Sequence, residues 1–314
     1  MKKVIFSVLL SIFCSTSVFS QFDVQLSQYM FHNSAFNPAA VGEDEMIQIT
    51  LQKQFHWIGM PNAGQPFLFS INSPIKIGTS LHGVGFKVIN DEIGLFTNTT
   101  YLLQYAYKKR IGVGMLSLGA DIGGVSLGFR GDSTYLPESE FHDKTDPQIP
   151  KTSVKGMSLD LNVGLLYSTS KYYAGISYSH LNNPTVSWTD NIDFAIAGTM
   201  YFTGGYNWTL PDSKYVLKPS TLIKTDFSSY QLDASARLEY DNKYWGGLSY
   251  RLQDAVVILA GINISGGMSI GCSYDIPTSQ IITVSKGSFE ILGTYSFEYV
   301  FGKKKNKFKS IRIL

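Results

Sequence analysis

The chain of 314 residues carries 26 Lys and Arg against 24 Asp and Glu, and charged residues make up only 16% of it. Lys2 and Lys3 fall in a cleavable leader, so the rest of the chain is formally neutral, which argues against nucleic acid as a partner, since such binders concentrate basic residues on one face. Past the leader only Cys272 remains, so no internal disulfide can form, and no apolar run is long enough for a transmembrane helix.

The leader spans residues 1–20. Lys2 and Lys3 form its positive end, residues 4–13 its apolar run, and Val18-Phe19-Ser20 ends on the small residue that a signal peptidase needs, so cleavage is expected before Gln21 and the protein is exported. Cys14 raises the alternative of a lipoprotein, but Phe13 occupies the position before it, where a small residue belongs.

Residues 21–45 precede the first strand pattern and are expected in the periplasm or threaded through the lumen. Within them Asn37-Pro38 initiates a turn, because proline fixes φ and holds its predecessor extended. The segment either caps or plugs the fold, or docks a periplasmic partner through Asn37 and Pro38.

From residue 46 to 301 the organising signal is period two. Ile47, Ile49, Leu51, Phe55 and Trp57 alternate with Gln48, Thr50, Gln52, Gln54 and His56. Met157, Leu159, Leu161, Val163, Leu165 and Tyr167 alternate with Ser158, Asp160, Asn162 and Gly164. Tyr230, Leu232, Ala234, Ala236, Leu238 and Tyr240 stand opposite Gln231, Asp233, Ser235, Arg237 and Glu239. Successive side chains of a strand face opposite sides, so this pattern suits a wall between lipid and a polar interior and gives a helix no apolar face. Further strands are predicted near 66–73, 81–89, 96–107, 111–127, 171–179, 194–209, 214–226, 243–252, 255–264, 267–276 and 288–301. The total is about fourteen, an even number in the range of bacterial outer-membrane barrels.

If the first strand starts in the periplasm, even-numbered connections should be short turns and odd ones should include the long surface loops. The long segments 128–155, 180–193 and 277–287 fall on odd connections, whereas the even connection near 73–80 is rather long. Trp57, Tyr101, Tyr107, Tyr167, Tyr240 and Tyr244 stand where aromatic girdles are expected, at headgroup level. A soluble sandwich or propeller also alternates, but no propeller-length repeat recurs and no linker divides the chain. The last strand, with Phe289, Ile291, Tyr295, Phe297, Tyr299 and Phe301 on one face, has the aromatic ending of a barrel-closing strand. The expected fold is an all-β transmembrane antiparallel barrel in the outer membrane, with periplasmic termini.

Several blocks carry a resemblance to a known family. They are Gln25-Leu26-Ser27-Gln28-Tyr29-Met30-Phe31 with Phe36-Asn37-Pro38-Ala39-Ala40-Val41-Gly42; Lys53-Gln54-Phe55-His56-Trp57-Ile58-Gly59 with Gly64-Gln65-Pro66; Gly83-Val84-Gly85 with Asn90-Asp91-Glu92-Ile93-Gly94; and Ser288-Phe289-Glu290-Ile291. Together they resemble the PorP/SprF outer-membrane proteins of Bacteroidetes over essentially the whole mature chain. Lys53 and Phe55 stand where that family more often has Arg and Gln, and Phe289 where it often has His, which puts any polar role at those positions in doubt. The resemblance implies a part in type IX secretion, with an associated gliding motor in some relatives. The implied partners are a periplasmic ring lipoprotein and other secretion components, or a surface adhesin.

The loop from Arg130 to Lys155 carries Asp132, Glu138, Glu140, Asp143 and Asp146 but fits no EF-hand spacing, so a solvated surface loop is expected. Residues 302–314 form a basic tail with Lys303, Lys304, Lys305, Lys307, Lys309 and Arg312 and no acid. Such a cluster binds an anionic surface, here headgroups of outer-membrane lipid, peptidoglycan or an acidic protein, or else remains a solvated tail. The five histidines show no metal-ligand spacing and no nucleophile elbow or phosphate loop occurs, so neither catalysis nor a cofactor is expected. The competing function is a channel for small solutes, its selectivity set by lumenal Asp160, Asp233, Arg237, Glu239 and Arg251; the same charges would pair with one another in a plugged barrel.

Overall fold

Alternating side chains can be satisfied on both faces only if the sheet separates an apolar surrounding from a polar interior, and the strands do this by closing on themselves. The computed structural model describes residues 23–133, 150–189 and 192–298. Fourteen strands form the wall: β1 (Ile47–Phe55), β2 (Phe67–Ile77), β3 (Ser80–Ile93), β4 (Phe96–Ile111), β5 (Gly114–Arg130), β6 (Ser153–Ser168), β7 (Tyr172–Ser179), β8 (Thr199–Tyr206), β9 (Tyr215–Thr225), β10 (Tyr230–Tyr240), β11 (Tyr244–Arg251), β12 (Ala255–Ile264), β13 (Met268–Pro277) and β14 (Ser288–Phe297). Each pairs antiparallel with its neighbours in sequence, and β1 pairs with β14 from Ile47↔Phe297 to Phe55↔Phe289. The ring therefore has no free edge to aggregate or to leave backbone groups unpaired in lipid.

The sign of burial is the reverse of a soluble protein's. On β4 the outward Leu103 is 61% exposed while its neighbour Gln104, pointing in, is 3% exposed. Leu51, Leu118, Ile122, Met157, Leu159, Leu248, Ile258 and Ile291 likewise face out, whereas Gln52, Gln54, Asp121, Asn162, Asp233 and Ser235 are buried inside. Exposed tyrosines gather near both ends of the strands: Tyr107, Tyr172, Tyr240, Tyr244 and Tyr295 at one, Tyr230, Tyr250 and Tyr274 at the other. Such girdles mark two headgroup levels. Among the described residues no helix is long and apolar enough to cross a membrane; the chain crosses with strands.

Three boundaries differ from the sequence reading. The expected turn at 73–80 is strand down to a two-residue turn at Gly78-Thr79, with Gly78 at φ +60°. Pro74, which suggests a break, lies past the last β2 residue that pairs with β1, so that neighbour loses no ladder bond to its missing N–H. Strand β3 runs on to Ile93 before a turn at Gly94, also at φ +60°. The expected strand 194–209 is divided: Ile192–Ala195 pairs with Thr185–Thr189 in a loop hairpin, and the wall resumes at Thr199. With β2–β3 corrected, the even connections are short and lie at one end of the barrel, the longest being 207–214, in which Trp208–Thr209 pairs with Val216 and Leu217, and the longer connections 56–66, 131–152, 180–198 and 278–287 lie at the other. The leader, residues 134–149 of the acidic loop, Tyr299, Phe301 and the basic tail lie outside the described residues.

Candidate functional site

The lumen is occupied by the segment between the leader and β1. Asp23 lies at the long-loop end beside His180, Tyr201 and Lys224, and the chain descends through three 3-10 turns, Tyr29–Phe31, Asn33–Ala35 and Pro38–Ala40, to Asp44 near Gln48 at the short-turn end. The described chain thus enters from the long-loop mouth and threads the lumen, one of the two placements expected of residues 21–45. Short 3-10 turns suit this segment because Asn37 caps the third by accepting from the Ala39 N–H at 2.9 Å and Pro38 supplies a preset φ at its first position.

The lower half of the segment sits in a groove cut by glycines. A Cβ on Gly83 would lie 1.9 Å from the Val41 carbonyl oxygen, on Gly119 2.2 Å from the Ala39 nitrogen, and on Gly164 2.1 Å from Asn37 Oδ1. Only residues without a side chain allow the backbone of 37–41 to approach strands β3, β5 and β6 this closely. Asn37 then donates from Nδ2 to the carbonyls of Leu165 at 3.0 Å and Ile176 at 3.4 Å. At mid-height Lys87 pairs with Asp121 at 3.0 Å and donates to the Ala35 carbonyl at 2.7 Å, while Gln104 donates to the Ser34 carbonyl at 3.0 Å.

The upper half is held by charge. The Glu290 carboxylate accepts the backbone N–H groups of Ser27 and Gln28, both at 2.9 Å. Arg251 donates to Asp233 at 3.0 Å, Asp275 at 3.1 Å, Asp254 at 3.2 Å and Ser27 Oγ at 3.0 Å, using four of its five N–H donors. His180 bridges Asp160 through Nδ1 at 2.9 Å and Asp23 through Nε2 at 3.0 Å. Burial would lower the His180 pKa, but the charge of Asp23 and hydrogen bonds to both acids outweigh it and lift it to about 10. Burial would raise the Asp23 carboxyl, yet His180 holds it well below the usual carboxylate range. The imidazolium therefore ties the entering strand of the segment to β6.

Above this clamp the loop hairpin folds inward. Trp188 stacks on Phe129 (5.6 Å between centroids) and Phe96 (6.1 Å), meets Phe194 at 4.4 Å, and donates from Nε1 to the Leu127 carbonyl at 2.8 Å. Together with Val125, Val186 and Ile196 these residues form an apolar cap over the lumen. At the opposite end the turns carry exposed Lys76, Lys109, Arg110, Lys171, Lys214 and Lys243 against exposed Glu45, Asp212, Asp241 and Glu298, a basic rim.

Asn37 and Pro38, the sequence-predicted site residues among those described, are both buried inside the barrel and are used on intramolecular contacts. Lys303, Lys304, Lys305, Lys307, Lys309 and Arg312 lie outside the described residues. Of the charges predicted to face the lumen, Asp160, Asp233, Glu239 and Arg251 pair within it, Glu239 with Lys218 at 2.9 Å, while Arg237 lies over Phe31. At the family departures, Lys53 donates to the Gln65 carbonyl at 2.8 Å and Phe55 points outward. The glycine groove and the His180 clamp escape the sequence reading; glycines inside the alternating runs at Gly119 and Gly164 are the signal that a backbone approaches there. Among the described residues no cluster of three or more His, Cys, Asp or Glu is disposed to hold a metal ion.

The profile of the family described as type IX secretion system membrane protein PorP/SprF matches residues 18–295, from the leader through the plug to the last strand. The chain belongs to the PorP/SprF family. As a barrel of a secretion system's PorP/SprF family it is an outer-membrane protein. No curated protein matches it. Among solved structures the PorP/SprF barrel is similar to the CymD monoaromatic hydrocarbon channel, with TM-score 0.52 and 11% identity over 90% of this chain and 95% of that one. Less similar are a mutant Rh. blastica porin, with TM-score 0.35 and 8% identity over 80% of this chain and 99% of the porin, and Salmonella typhi OmpF in complex with daunomycin, with TM-score 0.35 and 10% identity over 80% and 96%. At 11% identity the likeness to the CymD channel shows the barrel fold alone.

Proposed function

We propose that this PorP/SprF barrel is a plugged anchor of the type IX secretion machinery, without catalytic or solute-conducting function, that holds periplasmic ring lipoproteins or surface cargo at the outer membrane. The observation that carries this reading is the lumen threaded from mouth to mouth by residues 23–45, which weighs against a channel and leaves the rims and loops to meet other proteins. The long loops face the cell surface and the basic rim faces the periplasm, as barrels of this kind are oriented. Strand β14 ends at that rim, and the basic tail with Lys303, Lys304, Lys305, Lys307, Lys309 and Arg312 follows it in the sequence. Both then present positive charge to an acidic partner or to peptidoglycan.

Affinity purification of the tagged chain from gently solubilised envelopes, followed by mass spectrometry, tests this. Type IX components should co-purify, and a strain lacking the protein should fail to export type IX cargo. Recovery of the barrel alone together with normal export would overturn the reading.

A further inference from the structure

The two buried lumenal arginines are opposites. Arg251 has acceptors on every side, whereas Arg237, only 4% exposed, has none among the described residues, and its Nε is enclosed without a partner. What contacts its guanidinium is aromatic: the Phe31 ring at 4.2 Å and the Trp245 ring at 5.7 Å. A guanidinium carries five N–H donors, and leaving a buried charged donor unmatched is costly.

The reason lies in how the plug leans. Residues 37–41 pack against β3 to β7, so at the short-turn mouth the facing wall, β9 to β14 with the start of β1, is left uncovered. It encloses a vestibule of about 130 Å³ bordered by Arg237, Phe31, Asn242, Asn263, Thr294 and Ser296, room for roughly ten water molecules at ~10–15 Å³ each. Lys218 and Glu239, also on its border, are paired with each other at 2.9 Å, so Arg237 feels Glu239 only at a distance and makes no ion pair or hydrogen bond with an acid among the described residues.

We propose that this vestibule is a binding site for a carboxylate, received by Arg237 against the Phe31 ring. A planar carboxylate matches the guanidinium fork with two parallel bonds, and aromatic backing fixes the fork's plane. Glu239 and Asp44 on the border disfavour a doubly charged anion such as phosphate. The vestibule is inside the barrel wall, out of reach of lipid headgroups, and opens between the turns of the basic rim. Its ligand is either a small free acid or an acidic side chain of a protein seated on that rim. The site does not depend on the assembly role, since a free acid would bind here whichever machine the barrel serves.

The test uses the folded full chain in detergent at low ionic strength, titrated by calorimetry with propionate, a monoanion, with the capped peptide Gly-Asp-Gly, with its neutral counterpart Gly-Asn-Gly and with inorganic phosphate. Saturable binding of propionate or of the Asp peptide, with no binding of the Asn peptide, supports the site; binding of propionate assigns a free acid, and binding of the peptide alone assigns a protein ligand. Arg237→Lys keeps the charge but loses the fork and should weaken binding about tenfold, the worth of one charge-assisted bond. Heat-modifiable gel migration confirms that this variant is folded, and Phe31→Leu, which leaves the guanidinium but removes its backing, should weaken binding as well. The proposal fails if neither acid binds, if phosphate binds as tightly as the carboxylates, or if folded Arg237→Lys binds like the parent chain.

Discussion

Gly164 and Asn37 share one volume: the Oδ1 of Asn37 stands 2.1 Å from where a Cβ on Gly164 would be. The groove that seats the plug is therefore written in the wall as missing side chains. Gly164→Ala should lower the stability of the seated state by roughly 1–3 kcal/mol, as overpacking does. Gly293→Ala, where a Cβ would meet nothing within 4 Å, should be neutral. Protease sensitivity of residues 23–45 in the folded barrel separates the two.

Asn37→Ala removes the donor to the Leu165 and Ile176 carbonyls and the cap on Ala39. With buried partners left unmatched, a cost of about 1–3 kcal/mol is expected. The expected measurement is faster amide exchange at Ala39 and Val41 with heat-modifiable migration retained, because the wall strands keep their own ladders.

The His180 clamp has a pH window with two edges. His180 has its pKa raised to about 10 from an ordinary 6.5, so its contribution is complete below pH 6.5 and is lost as pH rises through about 10. Asp23 is depressed, so its contribution is present above its ordinary value near 3.8 and fades as pH falls below that. Exchange at the His180 amide, which donates to Asn162 Oδ1 at 2.8 Å, should be slowest between about pH 4 and 6.5 after correction for intrinsic rates. His180→Gln should remove the alkaline edge of that window.

Trp188→Ala should open the apolar cap without unfolding the barrel. The indole's stacking on Phe96 and Phe129 and its bond to Leu127 hold the 180–198 loop inward, and losing a packed aromatic costs on the order of 2–4 kcal/mol locally. Limited proteolysis should cut the variant within this loop and leave the parent chain intact there.

Much of this was legible in the sequence because a barrel wall in lipid leaves a period-two record, and Leu103 beside Gln104 is one stroke of it. Five lumenal charges could be named from the strand parity alone. The boundary at 194–209 could not, because Phe194 continues the alternation while packing on a different cluster, with Leu127 and Val186. Nor could the use of Asn37 and Pro38: their turn chemistry is visible, but the glycines that receive them lie on strands more than 75 residues further along the chain. The partner of His180 is hidden for the same reason, since Asp23 is 157 residues away.

The central claim is that residues 23–45 thread the barrel. Its most direct test is single-channel recording of the purified full chain in planar bilayers. The account predicts no conductance steps from the intact protein and steps once residues 23–42 are deleted from a chain that still inserts as a barrel. Porin-like steps from the intact protein would contradict it.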